Sequence, residues 1–336
     1  MTVNSIGDLA QAFTLRRQSS VLKQQMERLT QELSSGVTSD VTRHLSGNFL
    51  QLSDVKHKLE VLDSQRVVAE RGRIDTGIMQ SALQKFQSEA ETLSTSGLTI
   101  GSSQTTTIVL DFANEARSSL ASMISALNTH AGGRTLFSGD DVTAAPIVPV
   151  DDVMTALSAA VAGAATGADV TTAMDAFFDT PGGDFETLIY RGGTASRASY
   201  PLGEGESVTL DLRADDAALR YVLKQAAIGA VLDDPGTTLS DIDKRALTYR
   251  VGENLLSGQD RITKIRADLG FAEGRIDRAA TRISAEMSGL NMVQAELLSI
   301  DPFETASDLE TVQLRLETLY TLTSRMSRLN LVNFLS

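Results

Sequence analysis

The sequence predicts a mainly α protein in which long helices toward both ends of the chain flank an inserted α+β segment. Three observations carry this. Ile262, Leu269, Ile276, Ile283, Leu290 and Leu297 recur at an unbroken spacing of seven. Apolar residues at helical spacing also run through the first 140 residues. Between these regions lies a stretch where acid and proline concentrate.

A seven-residue apolar repeat keeps one narrow seam facing a partner helix, as a coiled coil requires. The companion row Ile265, Ala272, Ala279, Glu286, Val293 and Ile300 breaks only at the glutamate. No proline falls between Leu255 and Asp301, so a helix over 255–300 meets nothing that stops it and would run about 70 Å at 1.5 Å per residue. Ordinary bundle helices carry apolar stripes too, but six heptads in one register favour a sustained seam.

Taken from the front, Leu22, Met26, Leu29 and Leu33 step by four, three and four and predict a terminal helix over 1–34. Leu45, Leu52, Val55, Leu59 and Leu62, then Ile78, Leu83, Phe86 and Leu93, continue the pattern through a bundle region at 45–140. Near the other end Leu309, Val312, Leu316, Leu319 and Met326 predict a second terminal helix over 305–336.

Residues 141–240 hold 15 acids and 5 bases, a net of −10 out of −13 for the whole chain, and five of the six prolines. That shift sets the expected boundaries: 1–140 and 241–336 for the helical rod, 141–240 for an acidic insertion. Within the insertion, helices are expected near Val153–Ala162 and Thr171–Phe178. Strands are expected at Phe185–Arg191, Ser199–Leu202 and Ser207–Leu212, with turns at Gly192-Gly193 and Gly203-Glu204-Gly205. Asp215 or Asp216 caps a further helix that runs through Tyr221 and Val231 until Pro235-Gly236 ends it.

Composition narrows the class. Only 5% of residues are aromatic, with no Trp, which suits slender helices better than a large globular core. The absence of Cys excludes disulfides and thiolate metal sites. An acidic balance argues against a nucleic-acid partner. The first thirty residues hold no apolar run long enough for a signal-peptide core or a membrane span.

Catalytic chemistry finds little support. His44, His57 and His130 are scattered, with no partner at metal-ligand spacing. Ser20-Val21-Leu22-Lys23 fits a Ser-x-x-Lys pattern, but the companion motifs are missing and Leu22 belongs to the seam. The pairs Asp140-Asp141, Asp151-Asp152, Asp215-Asp216 and Asp233-Asp234 match no calcium loop and suit solvated turns or helix caps. No cofactor, metal or enzymatic site is expected.

Three segments resemble a known family. Glu27-Arg28-Leu29-Thr30-Gln31-Glu32-Leu33-Ser34-Ser35-Gly36 is similar to the N-terminal flagellin signature, in which a helix ends in Leu-Ser-Ser/Thr-Gly. Gly133-Arg134-Thr135-Leu136-Phe137-Ser138-Gly139 resembles the Gly-Arg-x-x-Phe-Ala/Ser-Gly segment of the hook-associated protein 3, or hook–filament junction, family, with Gly133, Arg134, Phe137 and Gly139 as its matching positions. Ser327-Arg328-Leu329-Asn330-Leu331-Val332-Asn333-Phe334-Leu335-Ser336 is similar to that family's terminus. Val37–His44 departs from the Asn/Ser-rich turn usual after such a glycine, and Met1–Asp8 shares little beyond Asn4-Ser5.

The resemblance implies that the terminal helices pair as an antiparallel coiled coil, that the next helices form an outer bundle, and that the insertion projects outward. It adds Leu329, Leu331, Phe334 and Leu335 to the assembly seam. It implies self-association into a ring or helical oligomer, contact with an adjacent hook-associated protein and with flagellin, and a flagellar export chaperone. It also implies an extracellular place in the flagellum, reached through type III export without a cleaved signal peptide, and no membrane insertion. A filament-forming flagellin and a cytoplasmic coiled-coil scaffold stay open; the Gly133–Gly139 segment and the Phe334-Leu335 end favour the junction protein.

Overall fold

The computed structural model describes residues 5–101 and 107–335, and it is mainly helical. In order come α1 (Ser5–Ser35), α2 (Val41–His44), α3 (Leu50–Gly101), α4 (Thr107–Leu127), β1 (His130–Ala131), β2 (Arg134–Thr135), α5 (Val150–Ala160) and α6 (Gly167–Asp179). A π-helical turn (Phe185–Ile189), β3 (Tyr200–Gly203), β4 (Glu206–Val208), α7 (Ala217–Ala230), α8 (Asp241–Leu298) and α9 (Pro302–Leu335) follow. The chain forms two compact units, Met1–Asp63 with Ala285–Ser336, and Ser64–Ser284. Residues 1–4, where the first terminal helix is expected to begin, lie outside the described residues.

In the first unit α1 packs against α9. The two run antiparallel, because the turn after α1 bridges to the residues just before α9: Val37 pairs with Ser299. Local chemistry sets both ends. Gly36 takes φ +72°, which releases the chain from α1 while its N–H still donates to Glu32 O. Asp301 caps α9, its Oδ1 accepting from Phe303 N at 2.8 Å, and Pro302 occupies the first helical position, where no N–H is needed.

In the second unit Met79, Leu83, Phe86, Ala90 and Leu93 of α3 step by four, three, four and three, and all are fully buried. Ile78, expected in that row, is half-exposed; Met79 has its place, one residue round the helix. α8 lies against α3, with Ser94 Oγ donating to Gly252 O at 2.7 Å and Gln80 Nε2 donating to Arg266 O at 2.9 Å. Gly97 and Gly252 permit that approach, since a Cβ on Gly252 would stand 2.7 Å from Leu98 N.

Three expectations need correction. The insertion does not pack apart from the helices before it: α5, α6, the π-helical turn and α7 pack on one another, but α7 also packs along α4, its Leu219, Val222 and Leu223 are buried, and Gly229 sits against Ala116 and Phe112. Charge and proline therefore mark a change of surface, not a division of the core. Phe185–Arg191 is no strand, because only Phe185, Ile189 and Tyr190 are buried; a spacing of four is helical, and Tyr190 N donates to Phe185 O. The α8 helix starts at Asp241 rather than near residue 255, capped by Ser240, whose Oγ accepts from Asp243 N. The strands β3 and β4 form an antiparallel hairpin, but pairing ends at Val208. The hairpin β1–β2 had no strand signal beyond the Gly132-Gly133 turn.

Candidate assembly surfaces

The α1–α9 pair buries one stripe from each helix. Leu29, Val312 and Leu316 are buried, Leu22, Met26, Leu309 and Leu319 are half-buried, and Leu33 is exposed at the rim. The side chains of Met326, Leu329, Leu331, Phe334 and Leu335 lie outside the described residues. A two-helix pair covers only the facing stripes, and apolar residues remain uncovered elsewhere. Phe303 is 85% exposed and Leu314 65%; eleven residues apart, they share the face of α9 that points away from Val312 and Leu316. Phe13, Val21, Tyr320 and Leu322 are also exposed, and Lys23 Nζ lies 5.9 Å from the Tyr320 ring centroid.

The turn between these helices is tied down by the main chain. Thr38 N donates to Leu298 O at 2.9 Å, and Ile300 N to Gly36 O at 3.1 Å. Glu32, buried in the last turn of α1, accepts from Ser39 N at 2.8 Å, so the Leu-Ser-Ser-Gly ending is held by its own helix despite the unusual Val37–His44 sequence.

The six-heptad row divides in two. Ile262, Leu269, Ile276 and Ile283 are buried in the second unit; the Cβ of a residue at Gly72 would lie 3.1 Å from Ile276 Cδ1, which places that seam against α3. Leu290 and Leu297 are half-exposed. One residue round α8 from the seam, at about 100°, lies a row missed from the sequence: Ile242, Tyr249 and Leu256, again seven apart and exposed, while Phe271, 73% exposed, stands on a further face. The same heptad count would have found them.

The Gly133–Gly139 segment serves packing. Gly132 and Gly133, at φ +56° and +76°, make the tight turn between β1 and β2, and Arg134 is half-buried beside it. Phe137 is fully buried, and its carbonyl accepts from Ala214 N at 2.8 Å. Gly139, at φ +66°, has no room for a side chain, since a Cβ would meet Ala195 O at 2.5 Å. The loop that closes over it reaches α3 through Arg197, only 4% exposed, whose Nη2 lies 3.1 Å from Asp75 Oδ2. Tyr200 Oη donates to the same oxygen at 2.5 Å. Burial, reinforced by Asp75, pushes the Tyr200 phenol up to about 12; burial and the nearby Asp215 do the same for Tyr190. His44, His57 and His130 are exposed and far apart in sequence.

Residues 257–335 match the bacterial flagellin C-terminal helical region. That stretch contains both the heptad row from Ile262 to Leu297 and the whole of α9. Among solved structures, the chain is similar to a Vibrio parahaemolyticus protein described as a flagellar hook-associated protein, at 13% identity and a TM-score of 0.54, over 74% of this chain and 96% of that one. At such identity the likeness is one of fold. No curated protein sequence matches the chain. The family match covers the C-terminal helices of the chain, and the structural likeness supports a mainly α fold.

Proposed function

We propose that this chain, whose C-terminal region matches that of the bacterial flagellins, is a structural subunit of the flagellum that joins hook to filament. The reading rests on the α1–α9 pair. Each helix carries apolar residues outside the stripe its partner covers, Phe303 and Leu314 above all, and a subunit built to enter a tube of copies needs such uncovered faces. Contact between unlike surfaces of successive copies propagates a ring or helix. Adjacent hook-associated protein and flagellin would then meet the two ends of that ring, and an export chaperone would cover the terminal helices beforehand. On this reading the chain acts as a structural protein rather than an enzyme.

Filament-forming flagellin is the second reading, favoured by the flagellin match over 257–335. The two separate by copy number and place. Immunogold labelling of intact cells is expected to mark a single point at the base of each filament; labelling along the filament selects flagellin, and cytoplasmic labelling overturns both. In purified protein, removal of residues 309–336 is expected to leave the second unit folded and to abolish addition to isolated hook ends, because α9 contributes half of the paired surface. Truncated protein that still adds would show that assembly uses another surface.

A further inference from the structure

β4 ends at Val208, but its pattern continues. Ser207, Thr209 and Asp211 are exposed while Val208 and Leu210 are buried, the alternation of a pleated strand. Among the described residues, no backbone N–H or C=O from Thr209 through Leu212 bonds to another backbone group. A strand edge without a partner is a template for another strand.

A cavity of about 350 Å3 opens against this segment. Ile265, Leu269 and Ala272 of α8 form its other wall. Asp211, Asp216 and Asp268 line it, and no lysine or arginine does. Asp216 is committed as the cap of α7, its Oδ1 accepting from Ala218 N at 2.8 Å; Asp211 and Asp268 are exposed.

From these features we infer that the groove receives an extended segment of a partner protein, in which apolar residues alternate with lysine or arginine. The main chain of the incoming segment pairs with residues 209–212 and supplies affinity. Its apolar side chains enter between Leu210 and the α8 wall, and its cations meet the carboxylates, which sets the charge preference. The groove lies wholly within Ser64–Ser284 and uses none of the terminal-helix surface, so the inference stands apart from the proposed assembly role.

The test uses the full chain and a fluorescein-labelled peptide of alternating valine and lysine, eight residues long, with a valine–glutamate peptide as control. Fluorescence anisotropy is expected to show saturable binding of the lysine peptide, at least tenfold weaker for the control and for the D211K/D268K double variant. N-methylating every second backbone amide of the peptide is expected to remove binding, and hydrogen exchange at Thr209–Leu212 is expected to slow when the peptide is present. Equal binding of both peptides, binding that survives the double variant, or protection elsewhere overturns the inference. Concentration-dependent protection of residues 209–212 without peptide would make the occupant a second copy of this chain and overturn the assignment to a different partner. Thermal melts of the double variant guard against a folding defect, and a wild-type chain that binds neither peptide also refutes the proposal.

Discussion

Val37 and Ser299 face each other in an antiparallel bridge, 262 positions apart in the sequence, and their neighbours close it with bonds of 2.9 and 3.1 Å. The bridge depends on Gly36, the residue that turns the chain out of α1 at φ +72°.

Substituting Gly36 tests that dependence. A Cβ there meets nothing within 4 Å, so Gly36→Val costs backbone strain alone, about 1–2 kcal/mol. At Gly139 even Ala adds a clash with Ala195 O at 2.5 Å to a comparable strain. Urea titrations are expected to rank Gly139→Ala as the more damaging; the reverse order would mean that the loop over Gly139 yields easily.

Ile276 and Phe271 stand on different faces of α8. Ile276→Asp places an unpaired carboxylate in a fully buried site and is expected to cost about 4 kcal/mol or more. Phe271→Asp, at a position 73% exposed, is expected to stay within about 0.5 kcal/mol. Coincident circular dichroism melts for the two variants would refute the register. Arg275 is not a neutral control, because its Nη2 donates to Ser207 O at 2.9 Å.

The Asp75–Arg197 pair is buried on both sides, and neither Nη of Arg197 makes a hydrogen bond. Asp75→Ala leaves the guanidinium uncompensated and is expected to cost about 3–5 kcal/mol. Replacing both, as Asp75→Leu with Arg197→Met, is expected to recover the part due to the unpaired charge but not the hydrogen bond that Asp75 accepts from Tyr200. A double-mutant cycle by chemical denaturation measures it, and additive single effects would show that the two residues act independently.

Tyr190 and Tyr200 set an alkaline limit. Their folded phenols ionise near about 12, against roughly 10 in an unfolded chain. Between those values the unfolded state has released protons that the folded state retains, so stability falls as pH rises. It is fully present below about pH 10 and lost on approaching pH 12. Absorbance at 295 nm is expected to show two of the five tyrosines titrating late, and Tyr200→Phe to flatten the loss of stability above pH 10. Tyr190 and Tyr200 ionising near the usual phenol value of about 10 would contradict the burial.

Joining residue 139 directly to 241 would remove α7 from α4 and expose Phe112 and Ala116, both now buried against it. The shortened chain is expected to lose helix signal beyond the deleted residues and to bind a hydrophobic dye. A cooperative melt with native helix content in the remainder would restore the insertion to independent status.

Much of this protein was legible locally. Apolar spacing picked out Ile262 to Ile283, Leu29, Val312 and Leu316 as helical stripes, because a helix repeats its facing residue at a fixed interval whatever its partner is. Asp216 and Gly203-Glu204-Gly205 marked a cap and a turn, because those conformations are chosen by single residues. What stayed hidden required distant partners. Whether Phe185 begins a strand or a helical turn depended on Phe178, whose ring lies 5.3 Å away; whether residues 209–212 are paired depended on where another strand ends. The row Ile242, Tyr249 and Leu256 has the same period as the buried seam, and only the presence of α3 on one side of α8 decided which row is covered. Sequence alone determined the long helices and the stripes available for burial. Tertiary structure decided which stripes meet and that α7 completes the core beneath α4, since periodicity records what a segment can bury and not what is there to cover it.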